Sequence, residues 1–315
     1  MDGKRLLAVA ALLMFAVAAM AIAMAKPAFE PEASLPRIDR VALVALARAG
    51  DRLLAAGERG RIVYSDDAGT TWHLASAPSY QPVTSLAVVD GRTLFATAHQ
   101  GAILRSTDAG ATWQAATVAG GIRHALFALH VAEGHGVAVG AYGAYLESSD
   151  GGRTWTPRPI LAGDFDRHLT GIAGCGGDCL VIAGEAGTLL RSTDAGLSWR
   201  PLTSPYAGSF FGAVGLKDGT VMVYGMRGHA FRSDDRGRTW KAVDLKGYTG
   251  ALQGASEDAE GRVTLVGADG FLASSRDGGL TFLAVTLRGR PTVSAALRVG
   301  NRQLYAGPAG LRWAY

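Results

Sequence analysis

Gly101-Ala-Ile-Leu-Arg-Ser106-Thr-Asp108-Ala-Gly110-Ala-Thr-Trp113 is the stretch that decides the fold. A short apolar run ends in a serine, and Ser-x-Asp-x-Gly-x-x-Trp follows. An aspartate in such a place accepts hydrogen bonds from backbone N–H groups just ahead of it and makes a turn. The glycine supplies a positive φ that a Cβ would resist. The tryptophan then swings back to pack between sheets, where a large aromatic buries much area. The segment therefore reads as strand, turn, strand.

The same segment occurs six times: Ser65-Asp67-Gly69-Trp72, Ser106-Asp108-Gly110-Trp113, Ser148-Asp150-Gly152-Trp155, Ser192-Asp194-Gly196-Trp199, Ser233-Asp235-Gly237-Trp240 and Ser275-Asp277-Gly279-Phe282. The last aromatic recurs every 41 to 44 residues, and five of the six tryptophans fill that slot. A fixed period of this length marks a repeat architecture. Ahead of each box lie three more short apolar runs, as in Val83–Val89, Leu94–Ala98 and Ile103–Ser106, each bounded by Gly, Asp or Asn. Four short strands per repeat make one blade of a propeller.

Counting blades gives six complete units and a seventh, from Val293, that stops where its box would begin. The stretch Phe29 to Asp39 aligns with the segments that follow the tryptophans. It is expected to supply the missing outer strand, which would close the ring and remove its exposed edges. The expected fold is all-β, a seven-bladed propeller of four-stranded blades over residues 26–315. The six box aspartates sit in repeated environments, whereas a catalytic carboxylate needs a special one. Asp67, Asp108, Asp150, Asp194, Asp235 and Asp277 are accordingly read as structural.

Composition agrees. There are 43 glycines in 315 residues, and only 18% of residues are charged. That suits many strands and tight turns, and neither a helical nor a disordered chain. The formal net charge of +4 is spread out, without a Lys/Arg-rich run, so nucleic acid is not the expected partner. Lys4 and Arg5 precede an uncharged run from Leu6 to Ala25 that ends in Ala23-Met-Ala25. Residues 1–25 read as a signal peptide, or alternatively as an uncleaved anchor. Either delivers the domain outside the cytoplasm, in a bacterium to the periplasm. In that compartment Cys175 and Cys179 read as a local disulfide across a turn. Free thiols and a redox or metal role stay open, although the spacing lacks the four ligands of a zinc site. No metal or cofactor is expected.

The boxes resemble the BNR/Asp-box repeats of sialidases. The fuller pattern, Gly184-Glu-Ala-Gly187-Thr-Leu-Leu-Arg-Ser192 running into its box, is similar to the photosystem II stability and assembly factor family and its relatives in non-phototrophic bacteria. The resemblance covers Val41 to Tyr315. It implies a propeller that holds assembly intermediates of a membrane protein complex, without naming the partner. The sialidase pattern fits less well. Pro36-Arg37-Ile38-Asp39 lacks the closing proline of the Arg-Ile-Pro motif, and no Tyr–Glu pair stands out. A glycosidase also needs two carboxyls roughly 5 to 9.5 Å apart, for which only Asp164, Asp166 and Glu185 come forward.

Strand alternation puts two loop sets on the face opposite the boxes, and loops held on a rigid repeat are where function resides. From those loops a candidate binding face is assembled: Arg37, Arg59, Tyr80, Arg123, His124, Tyr142, Phe165, Asp166, Arg167, His168, Arg227, Tyr248, Arg288 and Arg290. Arg and aromatic residues are enriched at interface centres, and an arginine-lined funnel attracts acidic partner surfaces. The longest inter-blade insert, Leu161 to His168, is the most distinctive loop. The leading expectation is an exported, non-catalytic scaffold serving a membrane or periplasmic protein complex. A carbohydrate- or small-ligand-binding propeller is the alternative, and a sialidase-like hydrolase the third reading.

Overall fold

The computed structural model describes residues 37–314. Those residues form seven sheets, antiparallel but for one short pairing, arranged as the blades of a β-propeller, with no α-helix among them. Blade 1 runs outward through Leu43–Ala49, Arg52–Gly57, Ile62–Ser65 and His73–Leu74. The inner strands of blades 2 to 7 are Val83–Val88, Leu126–Ala132, Leu169–Gly174, Phe210–Gly215, Leu252–Glu257 and Ala295–Val299. Blade 3 has a fifth strand that the repeat does not foretell. Thr117–Val118, in the linker from blade 2, pairs in parallel with the outer strand Thr154–Pro157.

Blade 7 shows three strands among the described residues, ending with Gly310–Ala314. The leader and the closing stretch as far as Pro36 lie outside the described residues. The part that is described sits at the expected edge: the Leu311 N–H donates to Ile38 O at 2.9 Å. Val41, Leu43, Leu53 and Trp72 of blade 1 share one apolar cluster with Val299, Leu304, Ala306 and Leu311 of blade 7. The ring is thus closed by a packed core. Similar clusters fill the other six gaps between blades. All of this core lies between Ile38 and Ala314, so a chain beginning at Lys26 carries every residue of it.

The Asp boxes show why the repeat needs its particular residues. In blade 1 the Ser65 hydroxyl donates to Asp67 Oδ1 at 2.8 Å and accepts the Gly69 N–H at 2.8 Å. Asp67 in turn accepts the Thr71 N–H at 2.8 Å and the Thr71 hydroxyl at 2.6 Å. The other five boxes repeat this network. One element of the motif escaped the sequence reading. The residue before the aromatic is Thr71, Thr112, Thr154, Ser198, Thr239 or Thr281, always a hydroxyl, because it closes the turn onto the second carboxylate oxygen.

Each box glycine has a second duty. Besides its positive φ, it is where the preceding blade's side chain fits. A Cβ on Gly110 would meet Leu54 of blade 1 at 2.2 Å, one on Gly152 would meet Phe95 of blade 2 at 2.3 Å, and one on Gly69 would meet Trp313 of blade 7 at 2.7 Å. Turn and inter-blade packing are therefore specified by the same residue.

Hydrogen bonding also sets the acid response. The Thr71 hydroxyl foremost, then the Thr71 N–H and Ser65, hold the Asp67 carboxyl down at about 2. Asp150 and Asp277 are held below the ordinary carboxylate value, by the Thr154 N–H and by the Ser275 hydroxyl respectively before other donors. A carboxyl whose folded pKa is depressed contributes stability that is complete above its unfolded value of about 3.9. That contribution disappears as pH falls through the folded value. The urea midpoint should therefore hold steady above about pH 5 and drop between about pH 4 and pH 2. A midpoint unchanged across that interval would contradict the box network.

Candidate functional site

The face opposite the boxes is built from two sets of turns. Between the second and third strands of blades 1 to 6 lies a three-residue turn: Glu58–Gly60, His99–Gly101, Ala141–Gly143, Glu185–Gly187, Met226–Gly228 and Ala268–Gly270. The central residue of each is left-handed though it is not glycine: Arg59, Gln100, Tyr142, Ala186, Arg227 and Asp269, with φ between 50° and 56°. Such a residue costs about 1 to 2 kcal/mol relative to glycine. The next position is always glycine, because the following inter-blade linker passes there. A Cβ on Gly60 would lie 1.9 Å from Ser79 O, and one on Gly228 would lie 2.0 Å from Tyr248 O. The turn is pinned from behind, and its central side chain is exposed.

The second feature is a bulge near the start of six inner strands, at Val44, Thr84, Phe127, Thr170, Phe211 and Gln253. A bulge re-aims the extra side chain. All six residues line the central channel, a cavity of about 270 Å³. The Thr84 and Thr170 hydroxyls also donate across the blade gap to Leu126 O and Phe210 O. Sequence reasoning missed this ring, since a bulge is a change of register and leaves no period of its own.

Around the channel mouth, side chains from blades 3 and 4 meet. The Tyr142 N–H donates to His168 Nδ1 at 3.0 Å, and the Tyr142 ring stands edge-on to His168 at 4.7 Å. His124 packs on the other side of Tyr142 at 5.4 Å, and Phe127 stands edge-on to His168 at 6.3 Å. The Glu185 carboxylate accepts the His168 N–H at 3.1 Å. Arg167 reaches Ala186 O and Thr188 Oγ1 at 3.5 Å each. The insert Leu161 to His168 thus brings His168, Arg167 and the half-buried Phe165 against the turn that carries Tyr142. A second aromatic pair, Tyr206 stacked on His229 at 4.1 Å, lies at the blade 4 to blade 5 junction.

Of the fourteen residues named from sequence, eleven are exposed: Arg37, Arg59, Tyr80, Arg123, His124, Tyr142, Asp166, Arg167, Arg227, Arg288 and Arg290. Phe165, His168 and Tyr248 are partly buried. Tyr248 has a packing duty. It stacks on Phe271 at 3.8 Å, and its hydroxyl donates to Ala251 O or Ala268 O at about 3 Å. Burial before anything else pushes its phenol up to about 12. Arg37 pairs with Asp39 at 3.1 Å, and Arg290 lies 4.0 Å from Asp269. Arg59, Arg123, Arg227 and Arg288 have no ion-pair partner among the described residues. The arrangement can present several unneutralised guanidinium groups beside aromatic rings around a narrow channel.

Cys175 and Cys179 lie elsewhere, on the Asp-box side, in the turn between the first two strands of blade 4. They are joined as a disulfide with Cα atoms 5.0 Å apart. Both are buried. Among the described residues, no group of three His, Cys, Asp or Glu side chains is placed to hold a metal ion.

Comparison with known structures places this architecture among solved propellers. YCF48 bound to D1 peptide superposes with a TM-score of 0.68 at 15% identity, over 88% of this chain and 92% of that one. YCF48 from Cyanidioschyzon merolae gives 0.67 at 14% identity, over 89% and 96%. The GH74 xyloglucanase from Xanthomonas campestris gives 0.67 at 15% identity, over 86% of this chain but 51% of the enzyme. At these identities the likeness shows the fold. No curated protein matches the sequence. The BNR/Asp-box repeat family matches residues 63–74, the box region of blade 1. The family described as photosynthesis system II assembly factor YCF48 matches residues 122–288, more than half of the chain, and the protein belongs to that family.

Proposed function

We propose that the protein is an exported, non-catalytic scaffold that holds a segment of a membrane protein while its complex assembles. The periplasm is its place of work. The observation that carries this reading is the face opposite the boxes, where unpaired Arg59, Arg123 and Arg227 surround a channel mouth edged by Tyr142, His124 and His168. Family membership supports it, as does a family structure that holds a D1 peptide. Guanidinium groups recognise carboxylates in a planar, bidentate way, and aromatic rings grip an extended chain. An acidic or carboxylate-terminated segment suits such a face.

Cross-linked affinity capture from the membrane fraction tests the reading. Wild type should retain a defined membrane protein, and the Arg123→Glu/Arg167→Glu/Arg290→Glu variant should lose it by about 100-fold or more, given about 1 kcal/mol or more per reversed charge. Capture unchanged in the variant would remove the face from the binding role. The similarity to GH74 propellers supports a second reading, in which the channel mouth takes a glycan. A rise in melting temperature with xyloglucan oligosaccharides, and no membrane-protein capture, would favour it.

A further inference from the structure

The Asp-box side carries a surface of its own. Each box has a corner residue, the second after the glycine's predecessor in Asp-x-Gly-x, and its N–H is held by the box aspartate. In blades 3 to 6 the corners are Arg153, Leu197, Arg238 and Leu280. The Arg153, Arg238 and Leu280 amides donate to Oδ1 of Asp150, Asp235 and Asp277 at 2.9, 2.9 and 3.1 Å, and the Leu197 amide donates to Asp194 O at 3.2 Å. All four occupy one structural position on consecutive blades, so ring geometry sets them near one plane. They alternate cationic and apolar. Leu197 is 70% exposed and Leu280 59% exposed, among the most exposed apolar side chains described. Arg153 and Arg238 fold back onto Asp150 O and Asp235 O, which leaves most of each guanidinium fork free.

Cationic charge gathers on the blade 4 and blade 5 part of this arc. Arg191 lies directly opposite Arg200 across two paired strands, an arrangement of like charges that disfavours the bare surface. Arg236 and Arg238 flank Arg191, and burial, then the charge of Arg238, pushes the Arg191 pKa below its ordinary value. None of Arg153, Arg191, Arg200, Arg236 and Arg238 has a carboxylate partner within 4 Å among the described residues. The box aspartates nearby are consumed by their own turns.

We propose that the Asp-box rim of blades 3 to 6 rests on an anionic phospholipid surface, with Leu197 and Leu280 entering the acyl boundary and Arg153, Arg238, Arg200 and Arg236 meeting headgroup phosphates. Exposed leucine between arginines is the composition that binds such a surface, through apolar burial plus attraction to anionic lipid. A purely ionic partner, such as an acidic peptide, has no use for the two leucines. The contact is on the side of the propeller away from the Arg/aromatic face, so the two can act together.

Vesicle flotation with residues 26–315 tests this. Vesicles of phosphatidylcholine, and of phosphatidylcholine with about a third phosphatidylglycerol, are the probes. Wild type should float with the anionic vesicles only, and less so at raised salt. Arg153→Ser/Arg238→Ser should lower the partition about 30-fold, from about fivefold per cation at the surface. Leu197→Ser/Leu280→Ser should lower it while leaving the salt dependence in place. Unchanged melting temperatures would confirm that these surface variants fold. The Arg123→Glu/Arg167→Glu/Arg290→Glu variant, altered on the opposite face, should float as wild type does. Equal binding to neutral and anionic vesicles would overturn the proposal. So would corner variants that float like wild type, or a chain that ignores vesicles and binds poly-glutamate.

Discussion

Gly152→Ala is expected to destabilise the protein by about 4 kcal/mol, the sum of two terms. The first is conformational: φ at Gly152 is +77°, and a left-handed L-residue costs about 1 to 2 kcal/mol. The second is steric. The new Cβ would lie 2.3 Å from Cζ of Phe95. Phe95 is fully buried and stands edge-on to Trp155 at 6.4 Å, so its ring has nowhere to go. Overpacking of this kind costs about 1 to 3 kcal/mol. In a domain of this size the melting temperature should fall by roughly 8 to 15 °C. Gly91→Ala, where nothing lies within 4 Å and φ is not positive, is the control and should change little. Phe95→Leu in the Gly152→Ala background should recover part of the steric term and none of the conformational one. A Gly152→Ala loss of only about 1 to 2 kcal/mol would mean that the box glycine serves the turn alone.

The second large effect is expected at Tyr145. In blades 1 to 3 the box tryptophan donates its indole N–H to its own box glycine, at 3.3, 2.9 and 3.1 Å. Blade 4 differs. Trp199 donates to the Tyr145 hydroxyl at 3.0 Å, and that hydroxyl lies 2.6 Å from Gly196 O. Tyr145 is buried, and burial before anything else pushes its phenol above the ordinary value. Tyr145→Phe would leave a buried N–H and a buried carbonyl without this bridge, at about 1 to 3 kcal/mol each when unsatisfied. Trp199 can recover part by turning onto Gly196 O, as the tryptophans of blades 1 to 3 do onto theirs. The net loss should be about 2 kcal/mol in urea unfolding. A double-mutant cycle with Trp199→Phe should show coupling above about 0.5 kcal/mol. Additive losses would show that the bridge contributes nothing.

The sequence legibility of this molecule follows from how strictly each feature constrains residue type. The box needs serine, aspartate, glycine and an aromatic at fixed offsets, so the six turns and the blade count were readable from spacing. The outward display of Arg59, Tyr142 and Arg227 followed from strand alternation. The channel ring of Val44, Thr84, Phe127, Thr170, Phe211 and Gln253 did not, because a bulge tolerates varied side chains. Tyr145 was hidden for another reason: its partner Trp199 is 54 residues away and in the next blade. Tyr248 looked like a surface aromatic and proved to be a wedge on Phe271, a distinction that only packing reveals.

The fifth strand of blade 3 has a mechanical consequence. The Thr117 N–H and Ala119 N–H donate to Arg153 O and Trp155 O, which sews the blade 2 linker to blade 3. The Ser76 and Thr112 bridge does the same between blades 1 and 2. Among the described residues, no such parallel bridge joins the outer strands of blades 4 to 7. The wheel is therefore joined backbone to backbone on one arc and through side chains on the other. Blades 1 to 3 resist shear through paired outer strands, whereas the rims of blades 4 to 6 are tied by side chains, Arg191 to Arg236 O, Lys217 to Asp258 O and Arg232 to Gly278 O. Three of the four alternating corners lie on the second arc, where arginine and lysine side chains rather than strand pairing hold one turn to the next.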